Sequence, residues 1–475
     1  MLIALVLVWQ SPASALTPRH YDELKFAPLA ELKIPQFERY QMANGLVVYL
    51  MENHELPLVS GTATFRTGSR FEPAQQVGLA AITGDAMRLG GTEKLDPDAL
   101  NRVLEDRAAS IETSIDTAVG SASFNTLVND TELVLSLFAD VIQRPAFAPD
   151  RVDFLKGQYR GSIARRNDDP DSITSREFAK LIYGAHSPYA RTVEYATLGA
   201  IGRQDIQAFY RASIRPDRTI LGLVGDFDST RMKDLIDRYF GGWQADGEGL
   251  DVASLPVVEQ AEAGVFAIEQ PQLTQSYVQL GHLGGQFNSP DYAALEVMNE
   301  VLNGFSGRLF NQVRSRQGLA YSVYAFWSPR YDYPGMFIGG GETRSTTTVP
   351  FIRAVKREIE RIGTSLVTPE ELTLAKDSVL NSFVFKFQGP GQILARLIRN
   401  EYYNYPADFI FQFQEQVRKT TADAVLAAAR DHLKPDKLVI LVVGNSADIQ
   451  PALATLDSDQ PVHAIDITIA PEQQT

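Results

Sequence analysis

The run Arg215-Pro216-Asp217-Arg218, followed by the apolar stretch 219–224 and by Gly225-Asp226, decides the fold because it occurs twice. The second copy is Lys434-Pro435-Asp436-Lys437, the apolar stretch 438–443 and Gly444-Asn445. From Arg215 to Lys434 the offset is 219 residues. A short apolar run closed by a turn residue is typical of a buried strand. We therefore expect two copies of one structural unit, each closing with a buried strand.

Upstream residues support the same duplication. Ala148-Pro149-Asp150 recurs as Thr368-Pro369-Glu370, an offset of 220 residues, and each proline stands at the first position of a long helical pattern. The first copy begins with a predicted strand pair at 46–51 and 58–65, and helices follow without strict alternation. This mixture favours an α+β fold over a doubly wound parallel sheet.

The predicted organisation is therefore two homologous α+β domains related by internal duplication. They span residues 35–244 and 265–464, and a linker at 245–264, rich in Gly, Ala, Asp and Glu, joins them. The polar tail after Ala464 is expected to be frayed.

Composition narrows the functional class of the 475-residue chain. The net charge of -14 argues against a nucleic-acid partner, which would need a basic surface. The chain has no cysteine, which excludes disulfides and thiolate metal sites. Its six histidines stand far apart, with no pair at the spacing of metal ligands, so each is expected to be an ordinary surface or packing residue. They are His20, His54, His186, His282, His432 and His463.

The N-terminus predicts export. Residues 2–9 are apolar and Ala13-Ser14-Ala15 resembles a small-residue cleavage site, but the apolar run is too short to span a bilayer. We expect a signal peptide at 1–15 and, in a Gram-negative bacterium, a periplasmic protein with no integral membrane span after cleavage. No Lys or Arg precedes the apolar run, so retention as an N-terminal anchor is the alternative.

Two stretches carry a family resemblance. Residues 78–92 read GLAAITGDAMRLGGT, and residues 306–324 read SGRLFNQVRSRQGLAYSVY. Both resemble segments of the pitrilysin-type, or inverzincin, zinc metallopeptidases, which include mitochondrial processing peptidase. Further landmarks of that family occur in the right order at 44–46, 56–59, 68–70, 166–170 and 186–189.

The first stretch resembles a zinc-binding helix without its ligands. In the family it carries His-x-x-Glu-His, whose histidines bind zinc and whose glutamate is the general base. The matching residues here are Ala81, Gly84 and Asp85, and the family's third ligand, a glutamate, is matched by Gly161 or Ser162. A lone carboxylate does not make a stable transition-metal site, so Asp85 is expected to be an exposed or capped side chain. The resemblance thus implies that this chain binds no metal and is no enzyme by itself.

The second stretch resembles the family segment that carries an Arg and Tyr pair, here Arg314 and Tyr321. Arg314 falls in the last turn of a predicted helix, Gly318 ends that helix and Tyr321 begins an alternating strand, which can bring the two side chains to one cleft. On local pattern alone, a surface ion pair for Arg314 and packing within a sheet for Tyr321 remain open. In the family the pair reaches a substrate at the zinc and stabilises the transition state.

The resemblance implies a non-catalytic subunit of a heterodimeric zinc metallopeptidase. The expected partner is a homologous catalytic chain with an intact zinc motif, and that partner, not this chain, would hold the zinc next to the peptide substrate. A structural scaffold subunit and a peptide-binding homodimer without peptidase activity are the alternatives.

Two further segments give secondary expectations. Gly339-Gly340-Gly341 resembles the glycine-rich loop of the processing peptidase's non-catalytic subunit, but it follows the apolar run 336–338, and we expect a plain turn after a strand. The strand 110–116 matches the family's substrate-pairing edge, where Glu112 and Thr113 replace the residues usual in active members and put such pairing in doubt.

Overall fold

The computed structural model describes residues 34–472, except positions 254, 257, 259–262, 305, 388 and 458–459. The predicted signal peptide at 1–15 lies outside the described residues. No helix in the described part of the chain has the length and apolar character needed to cross a membrane.

The first half forms one mixed sheet with helices packed on it. Its strands are β1 (Glu38–Gln41), β2 (Val47–Glu52), β3 (Leu58–Phe65), β4 (Ser110–Ile115), β5 (Gly120–Leu127) and β6 (Thr219–Gly225). Its helices are α1 (Leu79–Leu89), α2 (Pro97–Glu105), α3 (Thr131–Gln143), α4 (Pro149–Arg165), α5 (Pro170–Tyr183), α6 (Tyr195–Gly199), α7 (Arg203–Ser213) and α8 (Ser229–Phe240). The strand order is β1-β2-β6-β3-β5-β4, with β2 and β6 parallel and the other neighbours antiparallel.

The second half repeats this architecture. Its strands are β7 (Gly264–Glu269), β8 (Gln275–Leu283), β9 (Ala320–Ser328), β10 (Met336–Arg344), β11 (Val439–Gly444) and β12 (Val462–Ala464). Its helices are α9 (Tyr292–Asn303), α10 (Thr348–Ile362), α11 (Pro369–Val384), α12 (Pro390–Tyr402), α13 (Phe409–Lys419) and α14 (Ala422–His432). The order β12-β7-β11-β8-β10-β9 matches the first sheet position by position after the outermost strand. The prediction of two homologous α+β units is confirmed.

Each half lends one helix to the sheet of the other half. Helix α5 buries Ile173, Phe178 and Ile182 against β11 of the second sheet. Helix α12 packs on β2 and β6 of the first sheet. The approach of α12 is close: a Cβ on Gly222 of β6 would lie 2.3 Å from Ile398 Cδ1. Because burying a large apolar side chain contributes about 1.5–3 kcal/mol, this exchange binds the halves into one unit.

A buried ion pair also joins the halves. Arg70, just after β3, donates from Nη2 to Asp332 Oδ2 at 2.7 Å, and the two side chains are only 4% and 21% exposed. Asp332 lies in the loop between β9 and β10. Nearby, the rings of Tyr189 and Tyr333 stack at 4.3 Å, again one from each half. The contact therefore combines a desolvated charge pair with aromatic packing.

The structure overturns two sequence predictions. Gly339-Gly340-Gly341 is no turn but the middle of β10, which pairs with β8 and β9 on its two sides. The tail after Ala464 is not frayed: Ile465 and Ile467 pack on the core of the second half, and Asn167 Nδ2 donates to the Ile467 carbonyl at 2.8 Å. The alternation of isoleucine at 465, 467 and 469 was the strand-like signal in an otherwise polar segment.

Candidate functional site

Helix α1, the counterpart of the zinc-binding helix, has a well-formed N-terminus. The Glu72 carboxylate accepts hydrogen bonds from the backbone N–H groups of Gly78, at 3.1 Å, and Ala80, at 2.8 Å. An anion at this end complements the helix dipole, although burial raises the pKa of Glu72. The helix is therefore intact as a structural element even though its family ligands are absent.

Gly84 lies where α1 crosses the edge strand β4. A Cβ built on Gly84 would lie 2.5 Å from the Ile115 nitrogen and 2.8 Å from the Ser114 carbonyl carbon. Thr113 Oγ1 closes the contact by donating to the Gly84 carbonyl at 2.6 Å. These neighbours are backbone atoms that cannot rotate away. The position that the resemblance assigns to the general base has no room for a side chain.

Asp85 is not exposed, contrary to one of the two sequence expectations. It is half-buried and accepts a hydrogen bond from the Tyr159 hydroxyl at 2.9 Å, and burial raises the pKa of Asp85. The pKa of Tyr159 is raised as well, mainly by burial and to a lesser degree by the nearby charge of Asp85. Ala81, the remaining motif position, is partly exposed and offers only a methyl group.

Tyr159 on α4, rather than Gly161 or Ser162, faces the former ligand helix. Ser162 is exposed and donates to the carbonyl of Gln158. Sequence reasoning missed Tyr159, although its spacing of four residues from both Leu155 and Ile163 places it on the buried side of α4. A tyrosine–carboxylate hydrogen bond thus occupies the space between α1 and α4.

The described residues contain no group of three or more His, Cys, Asp or Glu side chains arranged to hold a metal ion. Of the histidines, His54 contacts Asp226, His432 contacts Asp291 and His282 stacks on Phe337. His20 lies outside the described residues.

Arg314 is presented by an unusual helix. The segment Phe310–Arg316 is π-helical, with Val313 buried and Arg314 exposed. It ends where the Gly318 N–H donates to the Arg314 carbonyl at 3.1 Å, and Gly318 has φ +60°, which favours glycine. Short π-helical segments are rare in proteins overall, and those that occur are often found at functional sites.

Tyr321 is presented by a β-bulge. The register of β9 with β10 runs from Ser322 opposite Glu342 to Ala320 opposite Thr343, so Tyr321 is the extra residue and has no partner across the strand. Tyr321 as a residue is 79% exposed, which is unusual for a large aromatic residue in a sheet. Bulges of this kind redirect a side chain and are enriched next to active sites.

The two side chains meet as expected. The Arg314 guanidinium carbon lies 5.3 Å from the centroid of the Tyr321 ring and 5.0 Å from that of Phe310, a cation–π arrangement with two rings. Among the described residues Arg314 makes no ion pair, and Tyr321 is not packed within the sheet, so neither structural alternative describes the pair.

A buried arginine that sequence reasoning missed anchors this region. Arg308, whose side chain is 4% exposed, donates from Nε and Nη2 to the two carboxylate oxygens of Glu371 at 2.8 and 2.9 Å. Hydrogen bonding from Arg308 lowers the pKa of Glu371. The bidentate pair fixes the start of the π-helical segment to α11.

The edge strand β4 is partly engaged within the chain. Arg88 of α1 donates from Nε to the carbonyl of Ile111 at 2.9 Å. In the described part of the chain, no hydrogen bond, ion pair or ring contact connects Arg314 or Tyr321 with Asp85. The exposed pair and the vacated helix are therefore two separate features.

Fold and site together define a class: a two-domain protein of zinc-peptidase architecture in which the counterpart of the zinc-binding helix lacks the metal-binding residues. Comparison with protein families agrees. The model described as "Insulinase (Peptidase family M16)" matches residues 47–187, and the model described as "Peptidase M16 inactive domain" matches residues 200–379. The chain belongs to peptidase family M16.

Among the individual relatives, one is named as a zinc protease and another as a non-peptidase homologue. The chain is 24% identical over 369 residues to the "Uncharacterized zinc protease YmxG" of Bacillus subtilis, covering 77% of this chain and 88% of the relative. It is 22% identical over 407 residues to the "Non-peptidase homolog YmxG" of Helicobacter pylori, covering 83% and 90%. Among solved structures, a peptidase M16 inactive domain from Pseudomonas fluorescens superposes with a TM-score of 0.79 at 26% identity, covering 88% of this chain and all of that one.

Proposed function

We propose that this chain is the non-catalytic subunit of a heterodimeric zinc metallopeptidase. A homologous partner with an intact His-x-x-Glu-His motif would bind the zinc, and this chain would supply Arg314 and Tyr321 to the peptide in that partner's active site. The family assignment supports a peptide substrate, and the match to an inactive-domain family model supports a subunit without its own catalysis.

One observation carries the proposal: the Arg314–Tyr321 pair is exposed where its own fold does not need it. A π-helical segment and a bulge, both departures from regular structure, expose the pair at the start of β9. Such local irregularity persists where function requires it. At the same time Gly84 leaves no space for a side chain at the position that carries the base in the family, which supports a catalytic base on another chain.

The chemistry of the two side chains suits an acyl-transfer transition state. The guanidinium can donate two hydrogen bonds to a peptide carbonyl, and the phenol can donate one to the oxyanion of a tetrahedral intermediate. Arg314 stacked on the ring also holds Tyr321 in position. Loss of one oxyanion donor lowers kcat by about 10²–10³-fold in well-studied peptidases.

The proposal is tested by reconstitution. The chain is mixed with a homologous zinc-bearing partner, and cleavage of a quenched fluorescent peptide is measured for wild type, Arg314→Ala and Tyr321→Phe. We expect kcat to fall at least about 100-fold for Tyr321→Phe, which keeps the ring and removes only the hydroxyl. Arg316→Ala, an exposed arginine on the same segment, is the matched control and should leave turnover unchanged.

The alternatives give different outcomes in the same assay. A structural scaffold, which the name of the Helicobacter relative favours, predicts full turnover with both variants, or no peptidase in the mixture. A peptide-binding homodimer predicts peptide binding with no zinc-bearing chain present. Either result would replace the heterodimer proposal.

Location and domain limits complete the proposal. Residues 1–15 are proposed as a signal peptide that directs the chain to the periplasm. The two family domains are proposed to span 35–244 and 265–464, joined by the linker 245–264.

A further inference from the structure

A cavity of about 430 Å³ lies between the first sheet and α12, the helix lent by the second half. Ligand sites of small molecules usually measure about 300–1,000 Å³, so the space is large enough for a side chain and part of a backbone. It lies on the face of β3, β5 and β6 opposite the main core of the first half. None of Arg314, Tyr321 or Asp85 lines it.

The two walls of this cavity differ in chemistry. The sheet contributes small hydroxyl side chains, Ser60, Thr62, Thr64 and Ser121, and α12 contributes Leu394 and Ile398. Ser60 Oγ already donates to Asn125 Oδ1, and Ser121 Oγ is hydrogen-bonded to Ser114 Oγ. The hydroxyl oxygens of this wall can still accept hydrogen bonds from peptide N–H groups, while the other wall favours an apolar group. A purely hydrocarbon ligand would leave the hydroxyl wall unused.

The mouth of the cavity is aromatic and positively charged. Tyr331 stacks on Tyr403 at 4.6 Å with ring planes 6° apart, and its hydroxyl accepts from Arg396 Nη1 at 3.0 Å. Arg399, one turn further along α12, is exposed, lines the cavity and lies 6.0 Å from the Tyr331 ring centroid. Its exposed guanidinium is therefore placed where it can meet an anion that enters the cavity.

The space continues beyond this mouth. A second cavity of about 490 Å³ shares Tyr331 and Arg399 with the first, and its other charged lining residues are Arg330, Arg396 and Glu296. A ligand with its anionic group at Arg399 thus has room on both sides. An extended chain of several residues fits this arrangement better than a compact ion.

We propose that this cavity binds the free carboxyl end of a short peptide whose last side chain is large and apolar. The carboxylate would contact Arg399, the last side chain would lie against Leu394 and Ile398, and the peptide amides would meet the hydroxyl wall. This inference does not rest on the proposed role of Arg314 and Tyr321, since the site belongs to the isolated chain.

Calorimetric titration of the purified full chain tests the assignment. The probes are Gly-Ala-Ala-Ala-Phe with a free carboxyl end, the same peptide as its C-terminal amide, and dodecanoate, which offers a carboxylate on a hydrocarbon tail. We expect one peptide per chain, and affinity weakened at least about tenfold by amidation or by Arg399→Gln, since a hydrogen bond to a charged group is lost. Ala395→Trp, at an exposed position lining the cavity, should abolish binding by filling it.

Controls separate this test from folding and from catalysis. Arg357→Gln, an exposed arginine on α10 away from the cavity, should bind like wild type, and circular dichroism should give equal unfolding midpoints for all variants. Equal binding of the amidated peptide, unchanged affinity in Arg399→Gln, no binding at millimolar peptide, or tighter binding of dodecanoate than of the peptide would each overturn the assignment. None of these results bears on the reconstituted peptidase.

Discussion

Because there is no space at Gly84, we predict that adding a single methyl group there, by Gly84→Ala, changes the stability of the chain. In Gly84→Ala the new Cβ would meet the Ile115 nitrogen at 2.5 Å. Reaching an ordinary contact of 3.4 Å would require β4 to move away by about 0.9 Å, and Thr113 holds it in place through its hydrogen bond to the Gly84 carbonyl. The substitution therefore forces a backbone shift, not a side-chain rotation.

The magnitude follows from a matched position. Gly157 lies inside α4, is exposed, and a Cβ there would meet nothing within 4 Å. Gly157→Ala should stabilise the chain by about 1 kcal/mol, the ordinary helix preference for alanine over glycine. Gly84→Ala gains the same preference but adds overpacking, which costs about 1–3 kcal/mol. The difference between the two variants thus measures the packing penalty directly, and we expect about 2–3 kcal/mol because backbone atoms are involved.

Urea unfolding followed by circular dichroism gives this difference from the transition midpoints, provided that the slopes agree. The reasoning would be refuted if Gly84→Ala were stabilised as much as Gly157→Ala, because α1 would then have room for a side chain. If the difference is found, reinstating a glutamate at position 84 cannot restore a catalytic base without rebuilding β4.

Two further predictions concern buried charges. Asp332→Ala should destabilise the chain by about 3 kcal/mol, because it leaves the Arg70 guanidinium buried without its acceptor. Replacing both residues together, by Arg70→Met and Asp332→Leu, should cost less stability than the single substitution. If urea unfolding shows Asp332→Ala to be as stable as wild type, this prediction is contradicted. Asp85→Asn should be more stable than wild type at pH 7. Burial raises the folded-state pKa of Asp85 above its unfolded value, so the ionised carboxylate is penalised only when folded, and this penalty is lost as pH falls through the folded pKa. The stability gain of Asp85→Asn over wild type should therefore shrink at acid pH. A gain that grows on acidification would refute a raised pKa of Asp85 in the folded state.

Much of the fold was predictable because the duplication repeats local signals. The helices α4 and α11 begin at Pro149 and Pro369, and the closing strands β6 and β11 follow the two repeated turns, as the sequence predicts. The meeting of Arg314 and Tyr321 was also predictable, because Gly318 fixes a sharp turn between them. These features depend on neighbours in the chain.

The missed features depend on contacts far apart in sequence. The apolar stripe of α5 would fit either sheet, and nothing local assigns it to the second. A run of three glycines is typical of a turn, and only pairing on both sides places Gly340 within β10. The loss of space at Gly84 needs the position of β4, and the Tyr159–Asp85 hydrogen bond needs the packing of α4 on α1.

The exchange of α5 and α12 also constrains how such a chain could have arisen. A polypeptide consisting of one half would leave one face of its sheet without a covering helix, and its own helix would project without a sheet to cover. Two copies of that polypeptide could satisfy each other by the same exchange, as a symmetric dimer. Duplication and fusion would then convert contacts between molecules into contacts within one. The two copies would be free to diverge, so that one now has a helix α1 without the family's metal-binding residues and the other has a bulge that exposes a tyrosine.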